Sequence, residues 1–294
     1  MSTVPTVDVE SLNGGELTAA DHDYLFDLNG FRVLHGALSP AELAAINDWV
    51  DARDVDSLNP GDWIGNVEVH TYGKRDGVNF QNIVEGGPPF EQLIDHPSWF
   101  DQVSRYIAVG AHKLRIDECF LNIRRSGGYI PIHSGGDNVR FSGLFHWHNG
   151  SWAVGQINIL MALTDIGSGD GATTVIPGSH KSHLSHPQRN WDAGVGGDQA
   201  IGMREVHLKA GDAIMFTDGI CHGSLPRTNP GERRVLIYRY APHLLAPRMN
   251  YIPSKELIDR LTPRRREIVM PVAPRLGPDQ VVRADTFEHD AIGG

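Results

Sequence analysis

Short runs of β-forming residues dominate the chain from about residue 113 to residue 242. They are separated by turns containing Gly, Asn or Asp, and they include KLRIDECFLNIRR, AVGQINILMALTD, ATTVIPGS, DAIMFTD and RRVLIYRY. Several short strands at this spacing are typical of antiparallel sandwiches and barrels. The pattern therefore predicts a mainly β core for this part of the chain.

The residues before this core carry helix signals instead. The segment TAADHDYLFDLNG (18–30) starts at a Thr cap and predicts a helix that ends at its final glycine. The segment SPAELAAINDWVDARD (39–54) predicts a further helix, because Ser39 suits the N-cap, a proline follows it and Glu42 completes a capping box. Between them, FRVLHGAL (31–38) predicts a strand.

The remaining segments complete a one-domain organisation. Residues 55–90 are rich in Gly, Pro and Asn and predict a long loop, residues 89–108 predict one or two helices, and SKELIDRLTPRRREIV predicts a closing helix. We expect one domain over residues 1–294. Its parts are a helical N-terminal part (18–108), the β core (113–242) and a C-terminal extension (243–294).

Composition narrows the class of protein. The 294 residues have a formal net charge of −10 and no basic stripe, so we expect no nucleic-acid partner. Two cysteines, Cys119 and Cys221, are too few for a disulfide framework and fit a reducing compartment. The sequence shows neither an apolar N-terminal run nor an apolar stretch of about 18 residues. We therefore expect a cytoplasmic protein that does not span a membrane.

Three segments in the second half of the chain contain residues suited to metal and anion binding. They are FLNIRRSGGYIPIHSGG (120–136), LTDIGSGDGATTVIPGSHK (163–181) and GDAIMFTDGICHGSLPRTNPGERRVLIYRY (211–240). The first contains His133, the second contains IPGSHK, and the third contains His222 with Arg233 eleven residues later. Together with DLNGFRVLHGALSPAELAAI (27–46), they resemble the phytanoyl-CoA dioxygenase family of Fe(II)/2-oxoglutarate-dependent oxygenases.

This resemblance implies a fold, a set of cofactors and a reaction. The expected fold is a double-stranded β-helix, a jelly roll related to cupins, with N-terminal and flanking helices. The expected cofactors are Fe(II), 2-oxoglutarate and O2. Enzymes of this family convert 2-oxoglutarate to succinate and CO2 while they oxidise an unactivated C–H bond, usually by hydroxylation. The expected partner is a small-molecule substrate.

The resemblance also assigns roles to individual residues. His133 and His222 would be the two imidazole ligands of a 2-His-1-carboxylate iron site. Arg233 would bind the distal carboxylate of 2-oxoglutarate, since an arginine fork matches a carboxylate bidentately. Arg234 is adjacent, but side chains alternate faces along a strand, so only one of the two can point inward. Asn122 would contact the cosubstrate.

A further polar residue follows from the strand pattern alone. Gln156 and Asn158 alternate with Ile157 and Ile159, so one face of this strand is apolar core and the other lines the barrel or meets solvent. If the polar face lines the barrel, Gln156 points towards the cosubstrate, so we include it among the candidate cosubstrate-binding residues.

The third protein ligand departs from the family pattern. The family has His-x-Asp at this point, whereas this chain has His133-Ser134-Gly135. Three alternatives follow. In the first, Asp137 supplies the carboxylate after a glycine-permitted bulge. In the second, a water or halide occupies the position, as in related halogenases with a small residue there. In the third, His146, His148 or Glu118 substitutes for the carboxylate.

The stretch from His133 to the next core strand is longer than the family pattern leads us to expect. The extra residues include FHWHNGSW, which we predict to form a wall of the substrate pocket. Trp147 and Trp152 would supply flat apolar surface, and His146 or His148 would hydrogen-bond a polar group of the substrate.

Three functional hypotheses remain open at this point. The first is an Fe(II)/2-oxoglutarate-dependent dioxygenase acting on a small molecule. The second is halogenation at the same iron, motivated by Gly135. The third is a jelly roll that binds a ligand without turnover, motivated by the missing carboxylate.

Overall fold

The structure is a computed structural model that describes residues 17–71, 77–107, 114–134, 141–188, 200–243, 245 and 251–270. Short antiparallel strands and a few helices make up these residues. The strands are β1 (Phe31–Leu34), β2 (Trp63–Ile64), β3 (Val67–His70), β4 (Val78–Gln81), β5 (Leu114–Arg124), β6 (Ile130–His133), β7 (Phe145–His148), β8 (Ser151–Val154), β9 (Ile157–Ala162), β10 (Thr173–Val175), β11 (Arg204–Val206), β12 (Ala213–Thr217), β13 (His222–Ser224) and β14 (Arg233–Pro242). The helices are α1 (Ala19–Asn29), α2 (Pro40–Asp51), α3 (Pro88–Glu91), α4 (Phe100–Ile107), α5 (Lys255–Arg260) and α6 (Pro263–Val269).

Two facing sheets form the β core. Among the described residues, a large sheet has the strand order β1-β12-β9-β14-β5-β4-β3-β2 and a small sheet has the order β11-β10-β13-β6. Strands β7 and β8 form a separate hairpin. Sequence neighbours are dispersed between the sheets, which is the arrangement of a jelly roll. The expected mainly β, jelly-roll fold with flanking helices is confirmed.

Strand alternation divides the apolar residues into two cores. The inner core lies between the sheets and joins Ile214 and Phe216 of the large sheet to Val175 and Val206 of the small sheet. The outer core contains the opposite face of the large sheet together with the helices: Phe26, Ile46, Trp99, Tyr106, Leu121, Ile159, Leu236 and Tyr238. The large sheet is therefore buried on both faces, and polar side chains on its inner face must find partners inside the barrel.

The N-terminal helices begin as their capping residues predict. The hydroxyls of Thr18 and Ser39 accept from the backbone N–H three residues on, and Asp21 and Glu42 complete both capping boxes. The predicted strand after the first helix is shorter than expected and ends at Leu34.

The prediction of one long loop over residues 55–90 was wrong. This region contains β2, β3 and β4, which extend the large sheet beyond β5. Its glycines and prolines lie between these short strands, so their density hid the β segments. The predicted closing helix is two helices, α5 and α6, each with its own side-chain cap at Ser254 and Thr262.

A β-bulge divides β5 into two halves. Arg239 of β14 pairs with Glu118, but the next residue, Tyr240, pairs with Ile116, so Asp117 is extra. A one-residue shift exchanges the two faces of a strand. Ile116 therefore joins the outer core, while Glu118 turns inward to Arg239, with 2.7 Å between Oε2 and Nη1.

The described residues contain no helix that is both long enough and apolar enough to cross a membrane.

His180, in the segment IPGSHK, ties the loop after β10 to α1 and to the hairpin. Its Nε2 lies 3.0 Å from the carbonyl oxygen of Asp27, so Nε2 is the protonated nitrogen. Its ring packs edge-on against Phe145 at a centroid distance of 4.5 Å. Burial lowers the pKa of His180 to about 4, so the imidazole is neutral near pH 7.

The low pKa of His180 predicts a loss of stability in acid. Because the folded state resists protonation more than the unfolded chain, stability should fall as pH drops from about 6.5 towards 4. His180→Gln, which keeps an N–H donor near Asp27, should reduce that loss by up to about 3 kcal/mol, at about 1.4 kcal/mol per pKa unit. Chemical denaturation across this pH range measures the effect. His183→Gln, at an exposed position, is the control, and equal pH dependence in both variants would contradict the prediction.

Candidate active site

Strands β6 and β13 bring the two predicted metal ligands together. The strands are antiparallel neighbours in the small sheet, and His133 and His222 are directly opposed. Their ring centroids are 4.1 Å apart, with the ring planes inclined at 53°. The ring of Phe216 flanks His222 from the inner core at 4.9 Å. Two histidines distant in sequence thus form one pair at the edge of the barrel interior.

Backbone carbonyls orient both imidazoles in the same way. Nδ1 of His133 lies 2.9 Å from the carbonyl oxygen of Pro131, and Nδ1 of His222 lies 2.8 Å from that of Ile220. A carbonyl can only accept, so each Nδ1 bears the proton and each Nε2 bears the lone pair. This is the tautomer that coordinates a metal through Nε2, with the other nitrogen held by a backbone partner.

Close packing of the two strands requires a glycine after His222. A Cβ added at Gly223 would lie 2.6 Å from the carbonyl oxygen of Ile130, closer than real Cβ atoms approach. Close contact between the strands therefore explains the glycine of the HG pair in GICHG, and the proposed chemistry explains the histidine.

Both the surroundings and the partner ring keep His133 neutral. Burial and the neighbouring His222 lower its pKa to about 3. Metal binding needs neutral imidazole, so His133 does not have to lose a proton near pH 7 to become a ligand. The donor set fits Fe(II), which imidazole nitrogen binds well.

Arg233, at the start of β14, lies on the inner face and is 3% exposed. Its Nη2 donates to Oγ1 of Thr173 at 3.2 Å, while its buried Nε has no hydrogen-bond partner. Arg234 points the other way, to Asp51 and Glu232. The two arginines thus occupy opposite faces, as strand alternation predicts.

Two residues near Arg233 received no role from the sequence. Ser224 lies two residues after His222, and its Oγ accepts from Nη1 of Arg124 at 2.6 Å and from the backbone N–H of Ile130 at 3.0 Å. Ser224 pairs with Thr173 across the small sheet, and Arg124 pairs with Arg233 across the large sheet. Alternation from His222 and from Asn122 would have found both.

This end of the barrel is strongly positive. Burial lowers the pKa of Arg233 well below its usual value, and the charges of Arg124 and Arg227 lower it further. Arg227 is paired with Asp170 at 3.1 Å. A buried guanidinium with an unbonded N–H among like charges fits an anionic ligand, and a carboxylate matches its fork.

Asn122 and Gln156 are buried among polar partners. Nδ2 of Asn122 donates to Oδ1 of Asn79 at 3.0 Å. Nε2 of Gln156 donates to Oδ2 of Asp117 at 2.8 Å. Both lie on the large sheet or beside it, and their predicted roles with the cosubstrate stay predictions.

Only some of the candidates for the third ligand lie within the described residues. Gly135 and Asp137 lie outside the described residues. Glu118 is engaged by Arg239 and by Gln81, whose Nε2 donates to it at 3.2 Å. Within the described ranges, no third His, Cys, Asp or Glu side chain joins the histidine pair as a ready metal ligand.

The hairpin β7–β8 packs on the helical side of the molecule. Trp152 is buried in the outer core against Tyr106 and Phe145. The ring of Trp147 packs edge-on against that of Trp152 at a centroid distance of 4.9 Å and is 58% exposed. His146 and His148 are exposed on the same strand. Within the described residues, no contact of these side chains supports their predicted role as a wall of the substrate pocket.

Comparison with known proteins supports the family resemblance. The phytanoyl-CoA dioxygenase (PhyH) family model matches residues 26–235. The chain is 31% identical over 115 residues to the dioxygenase cdmD of Talaromyces verruculosus, which is 39% of this chain and 35% of that protein. It is 24% identical over 262 residues to the ectoine dioxygenase of Nocardia farcinica, which is 79% of this chain and 83% of that protein. The chain thus spans about a third of the length of cdmD and most of the ectoine dioxygenase.

Solved structures share the fold. HygX from Streptomyces hygroscopicus, solved with nickel and 2-oxoglutarate bound, superposes with a TM-score of 0.64 at 19% identity, covering 82% of this chain and 94% of that chain. HygX has also been solved with iron bound. Another matching relative is named an iron/alpha-ketoglutarate-dependent dioxygenase. The family model covers more than half of the chain, so the chain belongs to the phytanoyl-CoA dioxygenase (PhyH) family, as its motifs predicted.

Proposed function

We propose that this protein is an Fe(II)/2-oxoglutarate-dependent oxygenase that oxidises an unactivated C–H bond of a small molecule. Hydroxylation would convert R–H, 2-oxoglutarate and O2 to R–OH, succinate and CO2. The observation that supports it most is the pairing of His133 with His222, which are directly opposed and have the same tautomer. Thr173, on strand β10 of the same sheet, accepts a hydrogen bond from Arg233.

His133 and His222 would hold the metal through Nε2. Bound Fe(II) would supply the redox chemistry with O2. The protein's own contribution is rigidity, because both rings are fixed by backbone carbonyls on paired strands. The apolar ring of Phe216 covers His222 from the inner core and limits the access of water.

Arg233 would bind the distal carboxylate of 2-oxoglutarate, assisted by the hydroxyl of Ser224. Both lone-pair positions of the Ser224 Oγ are used by Arg124 and Ile130, so its own proton is available for an incoming anion. The buried Nε of Arg233 offers a second donor. The carboxylate would also offset the repulsion among the arginines.

A small-molecule substrate is supported by the relatives. HygX has been solved with hygromycin B, and a matching relative is named for ectoine. The coenzyme A in the family name carries no weight for this chain, whose sequence shows no phosphate loop.

The iron and cosubstrate sites predict a spectroscopic signature. Anaerobic addition of Fe(II) and 2-oxoglutarate should produce a visible metal-to-ligand charge-transfer band, and His133→Ala or His222→Ala should abolish it. His183→Ala, at an exposed position, is the control. If the wild type shows no band, the proposed function is wrong. A band without succinate formation in air would favour the ligand-binding jelly roll.

Arg233 and Arg234 provide a matched pair for testing the cosubstrate site. Because Arg233 would lose a fork contact to a buried carboxylate, Arg233→Lys should raise the dissociation constant of 2-oxoglutarate by about tenfold or more. Arg234→Lys, on the outer face, should change it by about twofold at most. Titration of the charge-transfer band measures both. Equal effects would exclude Arg233 from the site.

Halogenation is the second candidate, and Gly135 in the family's carboxylate position favours it. A glycine there leaves room for a halide on the iron. Hydroxylation and halogenation would then share the same histidines and the same arginine, and only the third position would distinguish them.

Chloride tests this candidate. If chloride binds beside the two histidines, adding it to the anaerobic Fe(II)/2-oxoglutarate complex should shift the band of the wild type but not of Gly135→Asp, whose carboxylate would fill the position. A sulfate salt at equal ionic strength is the control. An unchanged wild-type band in chloride would rule against halogenation.

A further inference from the structure

A row of polar side chains crosses the inner face of the large sheet and ends beside the histidine pair. Its members, here called the polar row, are Gln81, Glu118, Arg239, Asn158 and Asp218. Gln81 donates to Glu118 at 3.2 Å, Arg239 pairs with Glu118 at 2.7 Å, and Asn158 lies opposite Arg239 in register. Nδ2 of Asn158 donates to Oδ1 of Asp218 at 3.3 Å.

Asp218 is the member closest in sequence to a candidate metal ligand, His222. It follows the last residue of β12 and is 3% exposed. Its backbone N–H donates to the carbonyl oxygen of Gln156 at 3.0 Å, which anchors the chain where it leaves the strand. The side-chain bond to Asn158 on the neighbouring strand turns the carboxylate inward, onto the face that carries Phe216.

A second contact ties this segment to His133. Oγ of Ser134, the residue after His133, donates to the carbonyl oxygen of Gly219 at 2.7 Å. Gly219 is packed so tightly that an added Cβ would lie 2.7 Å from the carbonyl oxygen of Gly143. Segments 133–134 and 218–222 are therefore held side by side.

The carboxylate of Asp218 lies on the side of the barrel interior that contains the histidine pair. Asp218 is two residues after Phe216, whose ring is 4.9 Å from that of His222, and the next residue, Gly219, accepts from Ser134 beside His133. A buried carboxylate in this position would stabilise a cation held by the two histidines.

We propose that Asp218 is an outer-sphere carboxylate of the metal site. It stabilises a divalent cation held by His133 and His222 without being its ligand, and Asn158 is the positioning residue that keeps it there. The inference rests on the proposed function, because it needs the metal on these two histidines. It gives the site a negative charge from the residue after β12, whereas the sequence after His133 has Gly135 in place of the family's aspartate.

Outer-sphere placement follows from the contacts. Asp218, His133 and His222 do not converge as a ready three-ligand set in the described part of the chain. Oδ1 of Asp218 is occupied by the amide of Asn158.

Co(II) binding to the apoprotein tests the proposal without turnover. Titration calorimetry at fixed pH should show Asp218→Asn weakened by about 10- to 100-fold, the usual effect of losing an outer-shell partner. Asn158→Ala should weaken binding in the same direction but less. Glu205→Gln removes a carboxylate that is equally buried, on β11, and should stay within about twofold of wild type.

The visible spectrum of the Co(II) protein separates the two roles of a carboxylate. An outer-sphere group should leave the position and intensity of the d–d bands unchanged in Asp218→Asn at saturating Co(II). A changed spectrum would make Asp218 a ligand and overturn the proposal, as would an affinity within about twofold of wild type.

The outcomes also separate this inference from the proposed function. If the wild type binds no Co(II), or if His222→Ala binds it as well as wild type, the proposed function fails. If His222→Ala loses Co(II) while Asp218→Asn keeps it, only the outer-sphere role fails. Thermal unfolding of each apoprotein checks folding. Should Asp218→Asn not fold, Asn158→Ala decides, and wild-type affinity in that variant overturns the proposal.

Discussion

The pairing of β6 with β13 is the interaction on which the rest of the site depends. It sets His133 opposite His222, and the glycine between His222 and Ser224 lets the two backbones approach closely. Strand alternation then places the next polar groups. Ser224 shares a face with His222 and contacts Arg124, and the neighbouring strand β10 presents Thr173 to Arg233. The proposed metal and anion sites would thus lie at two ends of one small sheet.

The large sheet provides two groups of polar side chains on its inner face. The arginines lie at one end, and the polar row lies nearer the histidines. Because it is buried on both faces, these charged groups can be satisfied only by one another or by a ligand. The bulge at Asp117 is part of this arrangement, since it turns Glu118 inward while keeping Ile116 in the outer core.

Prediction from sequence succeeded where a local rule determined the outcome. Capping residues located the starts of α1 and α2, and strand alternation separated Arg233 from Arg234. The family spacing selected two histidines that the fold brings together, and their role as metal ligands stays a prediction. Prediction failed where the outcome depended on long-range packing, because the strands β2 to β4 were hidden among turn residues. The roles predicted for FHWHNGSW stay predictions. No role was predicted for Asp218, because its contact with Asn158 joins residues on separate segments. The residue that replaces the family's aspartate was visible in the sequence, yet its consequence depends on contacts made elsewhere.

The cluster of Arg124, Arg227 and Arg233 has a consequence for the protein without its cosubstrate. Burial of Arg233 and the like charges of Arg124 and Arg227 act against the folded state, while Asp170 pairs with Arg227. A dicarboxylate that binds only the folded chain relieves this repulsion and shifts the folding equilibrium by mass action. On the proposed assignment 2-oxoglutarate is therefore a stabilising ligand of the fold as well as a reactant. The amount of folded, active protein would then follow the supply of a central metabolite, before any catalytic turnover takes place.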